Sequence, residues 1–109
     1  PWTGASGTAA TETQIGRLRF DSLQRLAWVD ETPLVLSARE LSVLEILLNH
    51  AGRVIAKEAI IDRLTGWDEG LGDNAVEVYI HRLRRKLSDS GVAIRTLRGL
   101  GYMVEPARD

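Results

Sequence analysis

The chain has 109 residues, 44% of them hydrophobic and 27% charged, with a net charge of −1 and no cysteine. This size and composition are typical of one globular domain with a single core. The lack of cysteine excludes a disulfide framework and thiolate chemistry, and it fits a reducing cytoplasm. No apolar run is long enough to cross a bilayer and no signal peptide is visible, so we expect no membrane association. Because the chain starts at Pro1 rather than methionine, we expect it to be an excised piece.

Charge is distributed unevenly along the chain. Residues 74–104 hold six basic and two acidic side chains, whereas residues 1–73 hold seven basic and eleven acidic side chains. Such segregation is expected when one surface of a protein meets a polyanion. Chance clustering produces the same pattern, so charge alone leaves a nucleic-acid surface and an ordinary solvated surface as equal alternatives.

The first third of the chain predicts a flexible end followed by strands. Residues 1–14 are rich in Gly, Thr and Ala without periodicity, which indicates a flexible linker or an added end. Residues 15–21, 25–30 and 32–36 are short segments with apolar alternation or β-branched residues, typical of antiparallel strands. The breaks after Asp21 and Asp30 indicate tight turns.

Two helices are predicted next. Ser37 and Glu40 form a capping box at the start of a helix over residues 38–51, whose core stripe ends at Gly52. The segment KEAIIDRLTG repeats the helical pattern from residue 57 to a terminating Gly66, although Ala56 before it is a poor N-cap. Its predicted inward side chains are Ile60, Ile61 and Leu64. Residues 67–73 then form a loop with two glycines and three acids.

A third helix is predicted over residues 74–87, with Asn74 as N-cap and Glu77 at its third position. Its core stripe has the periodicity of one buried helix face and consists of Val76, Ile80, Leu83 and Leu87. The opposite side carries Asn74, Val78, His81, Arg82 and Arg85, with Arg84 and Lys86 on the two edges and Tyr79 beside the core stripe.

The outward side of this helix suits a DNA groove. Arginine predominates there, and its planar guanidinium can bond two acceptors on a guanine edge or a phosphate. Acidic partners, which an ordinary solvated face would contain, are nearly absent apart from Glu77. Val78 is small enough to permit close approach and to contact a thymine methyl group.

A β-hairpin is predicted over residues 94–104, turning at Gly99, Leu100 and Gly101. Arg98 lies beside the turn, and Thr96 shares its strand face. An arginine on a narrow β-finger suits insertion into a minor groove. The order of two helices, a basic helix and a hairpin predicts a winged helix-turn-helix.

Three blocks of the sequence carry a family resemblance: LSARELSVLEILLNHAGRVIAKEAIIDRL, DNAVEVYIHRLRRKL and IRTLRGLGYMV. With the leading strands they cover residues 15–104, which resemble the effector domain of OmpR/PhoB-class response regulators; residues 105–109 are then a tail. The resemblance implies an α+β fold in which a four-stranded antiparallel sheet precedes three helices and a hairpin wing. It also implies a fourth strand that the alternation pattern did not separate, which we place around residues 22–25.

The resemblance implies DNA-contact positions on the third helix and the wing. Arg82 is our first choice for reading a base and Arg98 for entering the minor groove, whereas Arg85, Val78 and Lys86 follow from helix geometry. The positions that match the family's contacts are Asn74, Tyr79, His81, Arg82, Arg84, Thr96 and Arg98. Many relatives have arginine, threonine and histidine where this chain has Asn74, Ala75 and Tyr79, so we expect a different target sequence.

The resemblance also implies partners. A phosphorylated receiver domain, controlled by a sensor kinase, is expected to precede this domain and to drive dimerisation on two direct-repeat DNA half-sites. The loop containing Trp67, Asp68 and Glu69 matches a segment that can touch RNA polymerase in the family; a plain connector is an equal alternative.

Catalysis is not indicated by any motif, and we expect no cofactor and no metal. His50 and His81 lie on separate elements, Gly99 to Gly101 lack the length and following helix of a phosphate loop, and the acidic loop lacks calcium-loop spacing. His50 fits better as a favourable partner of a helix C-terminus. The alternative that stays open is a protein-interaction domain whose basic helix docks an acidic partner or RNA polymerase.

Overall fold

The computed structural model describes residues 12–64 and 73–107, and for Asp73 and Asn74 it describes the backbone alone. Four strands open the described part: β1 (Glu12–Ile15), β2 (Leu18–Asp21), β3 (Leu26–Val29) and β4 (Thr32–Pro33). They pair as an antiparallel sheet in sequence order. Leu18, Phe20 and Ala27 alternate onto its buried face, as the period of two requires.

The fourth strand is present, but our placement of it around residues 22–25 was wrong. Residues 15–21 instead split at a turn through Gly16 and Arg17, and the strand before that turn begins at Glu12, inside the stretch assigned to the linker. Residues 22–25 form a turn, because Asp21 Oδ1 accepts hydrogen bonds from the backbone N–H groups of Leu23 (2.9 Å) and Gln24 (3.2 Å). The third predicted strand, residues 32–36, is reduced to Thr32–Pro33.

The first two helices follow their sequence signals. Helix α1 (Ala38–Asn49) has both hydrogen bonds of the capping box: Glu40 N–H donates to Ser37 Oγ (3.2 Å) and Ser37 N–H donates to Glu40 Oε1 (3.0 Å). It ends two residues before the predicted position. Helix α2 (Lys57–Leu64) buries Ile60 and Leu64, whereas the predicted inward Ile61 is half-buried.

Helix α3 (Asp73–Lys86) starts one residue before the predicted position, and the side chain of the predicted cap Asn74 is not among those described. Its predicted core stripe is confirmed: Val76, Ile80 and Leu83 are at most 1% exposed, as is Leu87 just beyond the helix. The stripe packs α3 against α1 and α2. The chain then turns back, and Arg17 N–H donates to Ser90 O (2.7 Å), which ties this turn to the N-terminal sheet.

The hairpin that follows is longer than predicted, with β5 (Val92–Leu97) and β6 (Gly101–Pro106) paired throughout; we call it the wing. Its base is fixed to the α1–α2 connection. Ile55 N–H donates to Tyr102 O (2.8 Å), and Tyr102 N–H donates to Ile55 O (2.9 Å). Four strands, three helices and a hairpin in this order confirm the predicted winged helix-turn-helix. No helix in residues 12–64 or 73–107 is long and apolar enough to span a membrane.

A substitution at Gly101 tests how closely the base of the wing is attached to the α1–α2 connection. A Cβ at this position would lie 2.1 Å from Ile55 O, and the φ of +145° excludes most side chains. We expect Gly101→Ala to destabilise the domain by about 3 kcal/mol or more in urea unfolding.

Gly99→Ala is the matched control, because Gly99 has a φ of +76° but an added Cβ would meet nothing within 4 Å. Only backbone strain applies there, at a cost of about 1–2 kcal/mol. If the two variants lose the same free energy of unfolding, the close contact between position 101 and Ile55 O adds no cost beyond backbone strain.

Candidate nucleic-acid interface

The outer face of α3 consists of the four exposed side chains opposite the buried stripe, Val78, His81, Arg82 and Arg85. Helical periodicity places them on one side because the stripe through Val76, Ile80 and Leu83 faces the core. All four were predicted to point outward. Val78 is 45% exposed, so a small apolar surface lies among the polar groups.

The two arginines of this outer face form no direct ion pair, and the only acidic group that the charge of Arg82 affects among the described residues is the buried Glu40. Within residues 12–64 and 73–107, neither Arg82 nor Arg85 makes a side-chain hydrogen bond or an ion pair. Both line a shallow depression together with Lys86. Two adjacent guanidinium groups without an acidic partner favour an anion between or beneath them.

One edge of α3 is bonded to the wing. Arg84 Nε donates to Ile94 O (2.9 Å), and Arg84 Nη2 donates to Thr96 Oγ1 (2.5 Å). Because an arginine can only donate, the Thr96 hydroxyl oxygen accepts and its own hydrogen is directed elsewhere. The structure therefore brings together Arg84 and Thr96, two side chains that the sequence placed on separate elements.

Arginines of the wing differ in their pairing. Arg98 is exposed at the turn and forms no ion pair with any other described residue. Arg95 lies 3.6 Å from Glu105 Oε2 on the neighbouring strand. Arg98 is therefore the wing cation available to an external anion.

The other edge of α3 is bonded to α1. Lys86 Nζ donates to Glu40 Oε1 (2.7 Å) and to Val35 O (3.1 Å). Lys86, which the sequence placed at the edge of the helix as a DNA-contact residue, is thus directed toward the start of α1. Tyr79 lies on the same edge, half-buried, and its hydroxyl oxygen accepts from Arg39 Nη1 (3.3 Å).

Glu40 is a carboxylate held charged within the fold. It is 3% exposed, and burial by itself would raise its pKa. The hydrogen bonds from Lys86 and from Ser37 N–H, with the positive charges of Lys86 and Arg82, outweigh burial and hold the pKa of Glu40 below its ordinary value. Glu40 therefore caps α1 and anchors the C-terminal end of α3.

Stability should depend on pH through this group. Because the folded-state pKa is lowered, the stabilisation by Glu40 is complete above the ordinary value of 4.5 and is lost as pH falls through the folded value. We expect Glu40→Gln to lower the free energy of unfolding by about 1–3 kcal/mol at neutral pH, and by less at about pH 3.

Urea unfolding at a series of pH values measures this difference, with Glu31→Gln as the control for an exposed carboxylate. If the free energies of unfolding of the wild type and Glu40→Gln differ by the same amount at both pH extremes, the proposed role of the Glu40 charge is contradicted.

The two histidines lie apart, as the sequence predicted. His50 Nδ1 lies 3.0 Å from Ile46 O at the end of α1, away from His81 on α3, so they form no pair. The loop with Trp67, Asp68 and Glu69, predicted as an RNA polymerase contact or a connector, lies outside the described residues. No group of three possible metal-ligating side chains occurs within the described ranges.

Sequence reasoning missed Arg39 as a neighbour of α3. Arg39 follows the N-cap Ser37 in the first turn of α1, a position where local rules predict only capping. A basic residue beside a capping box was the one available signal, and nothing local connects it with Tyr79, 40 positions away.

Known regulatory proteins match this chain over most of its length. The family model described as "Transcriptional regulatory protein, C terminal" matches residues 31–104. The transcriptional regulatory protein QseB of Escherichia coli O157:H7 is 41% identical over 97 residues, which are 89% of this chain and 43% of QseB. The two-component response regulator PhoP of Pseudomonas aeruginosa is 39% identical over 101 residues, 91% of this chain and 45% of PhoP. The chain thus spans less than half the length of these relatives.

Solved structures share the fold over most of the chain. The DNA-binding domain of Klebsiella pneumoniae RstA, solved in complex with the RstA box, is 31% identical with a TM-score of 0.75, covering 87% of this chain and 97% of that one. The DNA-binding domain of CpxR from E. coli is 29% identical with a TM-score of 0.75, covering 89% and 98% respectively.

Proposed function

Since this chain belongs to the OmpR/PhoB family of transcriptional regulatory proteins, matched as their C-terminal domain over residues 31–104, we propose that α3 enters the major groove of double-stranded DNA and the wing the adjacent minor groove. DNA-binding regulation of transcription is the function of this family. The observation that carries the assignment of α3 is its outer face, where Arg82 and Arg85 are exposed without acidic partners among the described residues.

In the major groove, Arg82 is the base-reading residue. Its guanidinium projects from the outer face, where it can donate two hydrogen bonds to the O6 and N7 atoms of a guanine. Val78, one turn earlier, supplies the apolar contact that suits a thymine methyl group. His81 and Arg85 lie beside them on the same face, and Asn74 lies at the N-terminal end of the helix.

At the edge of the groove, Arg84 and Thr96 meet the same DNA strand from two elements. Their mutual hydrogen bond orients the threonine hydroxyl as a donor, which suits a phosphate oxygen. Arg98 at the tip of the wing then enters the minor groove, where its positive charge meets an enhanced negative potential. Lys86 is the weakest member of the predicted contact set, since Glu40 and Val35 O already hold it.

The wider system follows from family membership. We infer that a receiver domain precedes this domain in the complete protein, that a sensor kinase controls its phosphorylation, and that two copies bind direct-repeat half-sites as a dimer. We also infer RNA polymerase as a partner of the segment with Trp67, Asp68 and Glu69, for which the sequence leaves a plain connector as an equal alternative.

Salt dependence separates DNA binding from docking on an acidic protein. If about four phosphates are contacted, each adding about 0.9 to the log–log slope, affinity for duplex DNA should fall about 100-fold between about 50 and 200 mM salt. Fluorescence anisotropy with a labelled duplex measures this. A flat response would exclude the phosphate contacts and favour the protein-docking alternative.

Arg82→Ala should weaken binding to the preferred site by about 1–3 kcal/mol and relax selection at one base position. Site selection from a random duplex pool, done with both proteins, is the measurement. Arg63→Ala is the matched control, because Arg63 is an exposed arginine of α2 that lines a cavity with Arg25, Glu45 and Asn49 rather than α3 or the wing. An unchanged selected sequence without Arg82 would assign base reading to another residue.

A further inference from the structure

We propose that the domain takes up a proton at His81 when it binds DNA, so that its DNA affinity rises as pH falls from about 8 to about 6. The inference rests on the proposed function and adds to it a dependence on the pH of the surrounding solution. It follows from the exposure of His81, from the charges around it, and from the hydrogen-bond acceptors that DNA presents.

His81 is an accessible imidazole on the side of α3 that meets the groove. It is exposed on the outer face together with Val78, Arg82 and Arg85. Among the described residues, no group forms a hydrogen bond or an ion pair with it. Its ring nitrogens are thus available to an external partner, and histidine is the side chain whose charge changes between about pH 5 and 8.

The charges closest to His81 along α3 act in opposite directions. Glu77 lies one turn earlier on the helix, and Arg84 and Arg85 lie one turn later. Lys57 Nζ of α2 is 3.4 Å from Glu77 Oε2, so this acid already has a cation. In the free protein, two guanidinium groups therefore oppose a positive charge on the imidazole, while one partly neutralised carboxylate favours it.

The elements packed against α3 contribute charged side chains at its edges. They are Lys57 on α2, Arg98 on the wing, and Arg39 and Glu40 on α1. Because the hydrogen bonds described above outweigh burial, the pKa of Glu40 lies below its ordinary value of 4.5, and its charge is constant between about pH 6 and 8. Arginine and lysine also stay charged in this range. Of the described side chains on or beside the outer face, His81 is therefore the one that changes charge.

DNA changes the charge balance in favour of the protonated imidazole. Phosphates that meet Arg84 and Arg85 neutralise the groups that oppose a charge on His81, and they attract the imidazolium directly. Phosphate oxygens and the O6 and N7 atoms of guanine are acceptors. A neutral imidazole has one N–H donor, whereas imidazolium has two. DNA therefore binds the protonated form more tightly and shifts the population toward it.

The proton uptake can be assigned to one residue because the chain contains two histidines and no cysteine. His50, the second histidine, lies at the end of α1 with Nδ1 3.0 Å from Ile46 O, away from the outer face. His50→Gln is therefore the matched control. Any titration that all variants share, such as that of the α-amino group, cancels in the comparison.

The test measures affinity for the duplex selected by the wild-type protein, at one salt concentration and a series of pH values. We expect wild-type affinity to be about 5-fold higher at about pH 6 than at about pH 8, with the same change in His50→Gln. His81→Gln cannot gain the charge and should lose this change. His81→Arg carries a permanent charge, so it should also lose the change but keep tight binding at the higher pH. Thermal unfolding at each pH confirms that every variant is folded.

Isothermal titration calorimetry in buffers of different ionisation enthalpy counts the protons. The wild type should take up about half a proton per bound domain at about pH 7, and His81→Gln about none. A pH dependence of affinity that is equal in the wild type and His81→Gln would overturn the inference. If the wild type binds duplex DNA in a salt-dependent manner but without a pH dependence, this inference fails alone; if it shows no salt-dependent DNA binding, both proposals fail.

Discussion

The buried oxygen Oε1 of Glu40 joins two helices that are far apart in the sequence. It accepts from Ser37 N–H, which starts α1, and from Lys86 Nζ, which ends α3. A carboxylate that is 3% exposed is tolerable only while these donors are present. The helix cap at Ser37 and the ammonium of Lys86 therefore stabilise the same buried charge. The angle at which α3 presents Arg82 is consequently set by the start of α1, a helix that contributes no side chain to the outer face.

The four basic residues near the end of α3 divide into two pairs with different roles. Arg82 and Arg85 are exposed and unpaired within the described chain, whereas Arg84 and Lys86 bond to the wing and to α1 respectively. The helix is therefore held at both edges while its outer face stays free. This arrangement limits rotation of α3 about its own axis, which is the motion that would most change the direction in which Arg82 points.

Local signals accounted for much of the fold. The capping box at Ser37 and the core stripe through Leu83 are confirmed because a cap and a helical period depend on residues within a few positions. The β1–β2 turn was missed because the break in apolar alternation between Ile15 and Leu18 was interpreted as an imperfection within one strand over residues 15–21. The turn after Asp21 was predicted, and Asp21 Oδ1 forms it by accepting a hydrogen bond from Leu23 N–H. For the site, exposure of Arg82 followed from periodicity, but the partner of Lys86 lies 46 positions away, and no local pattern encodes it.

The pairing of Ile55 with Tyr102 has a kinetic consequence. A hairpin can form by local contacts in microseconds, but its attachment here requires a backbone segment from the other half of the domain. Closing that long loop costs chain entropy before any hydrogen bond compensates it. The wing can therefore reach its final angle only once the α1–α2 connection is in place, so the surface formed by α3 and the wing depends on a contact between distant parts of the chain.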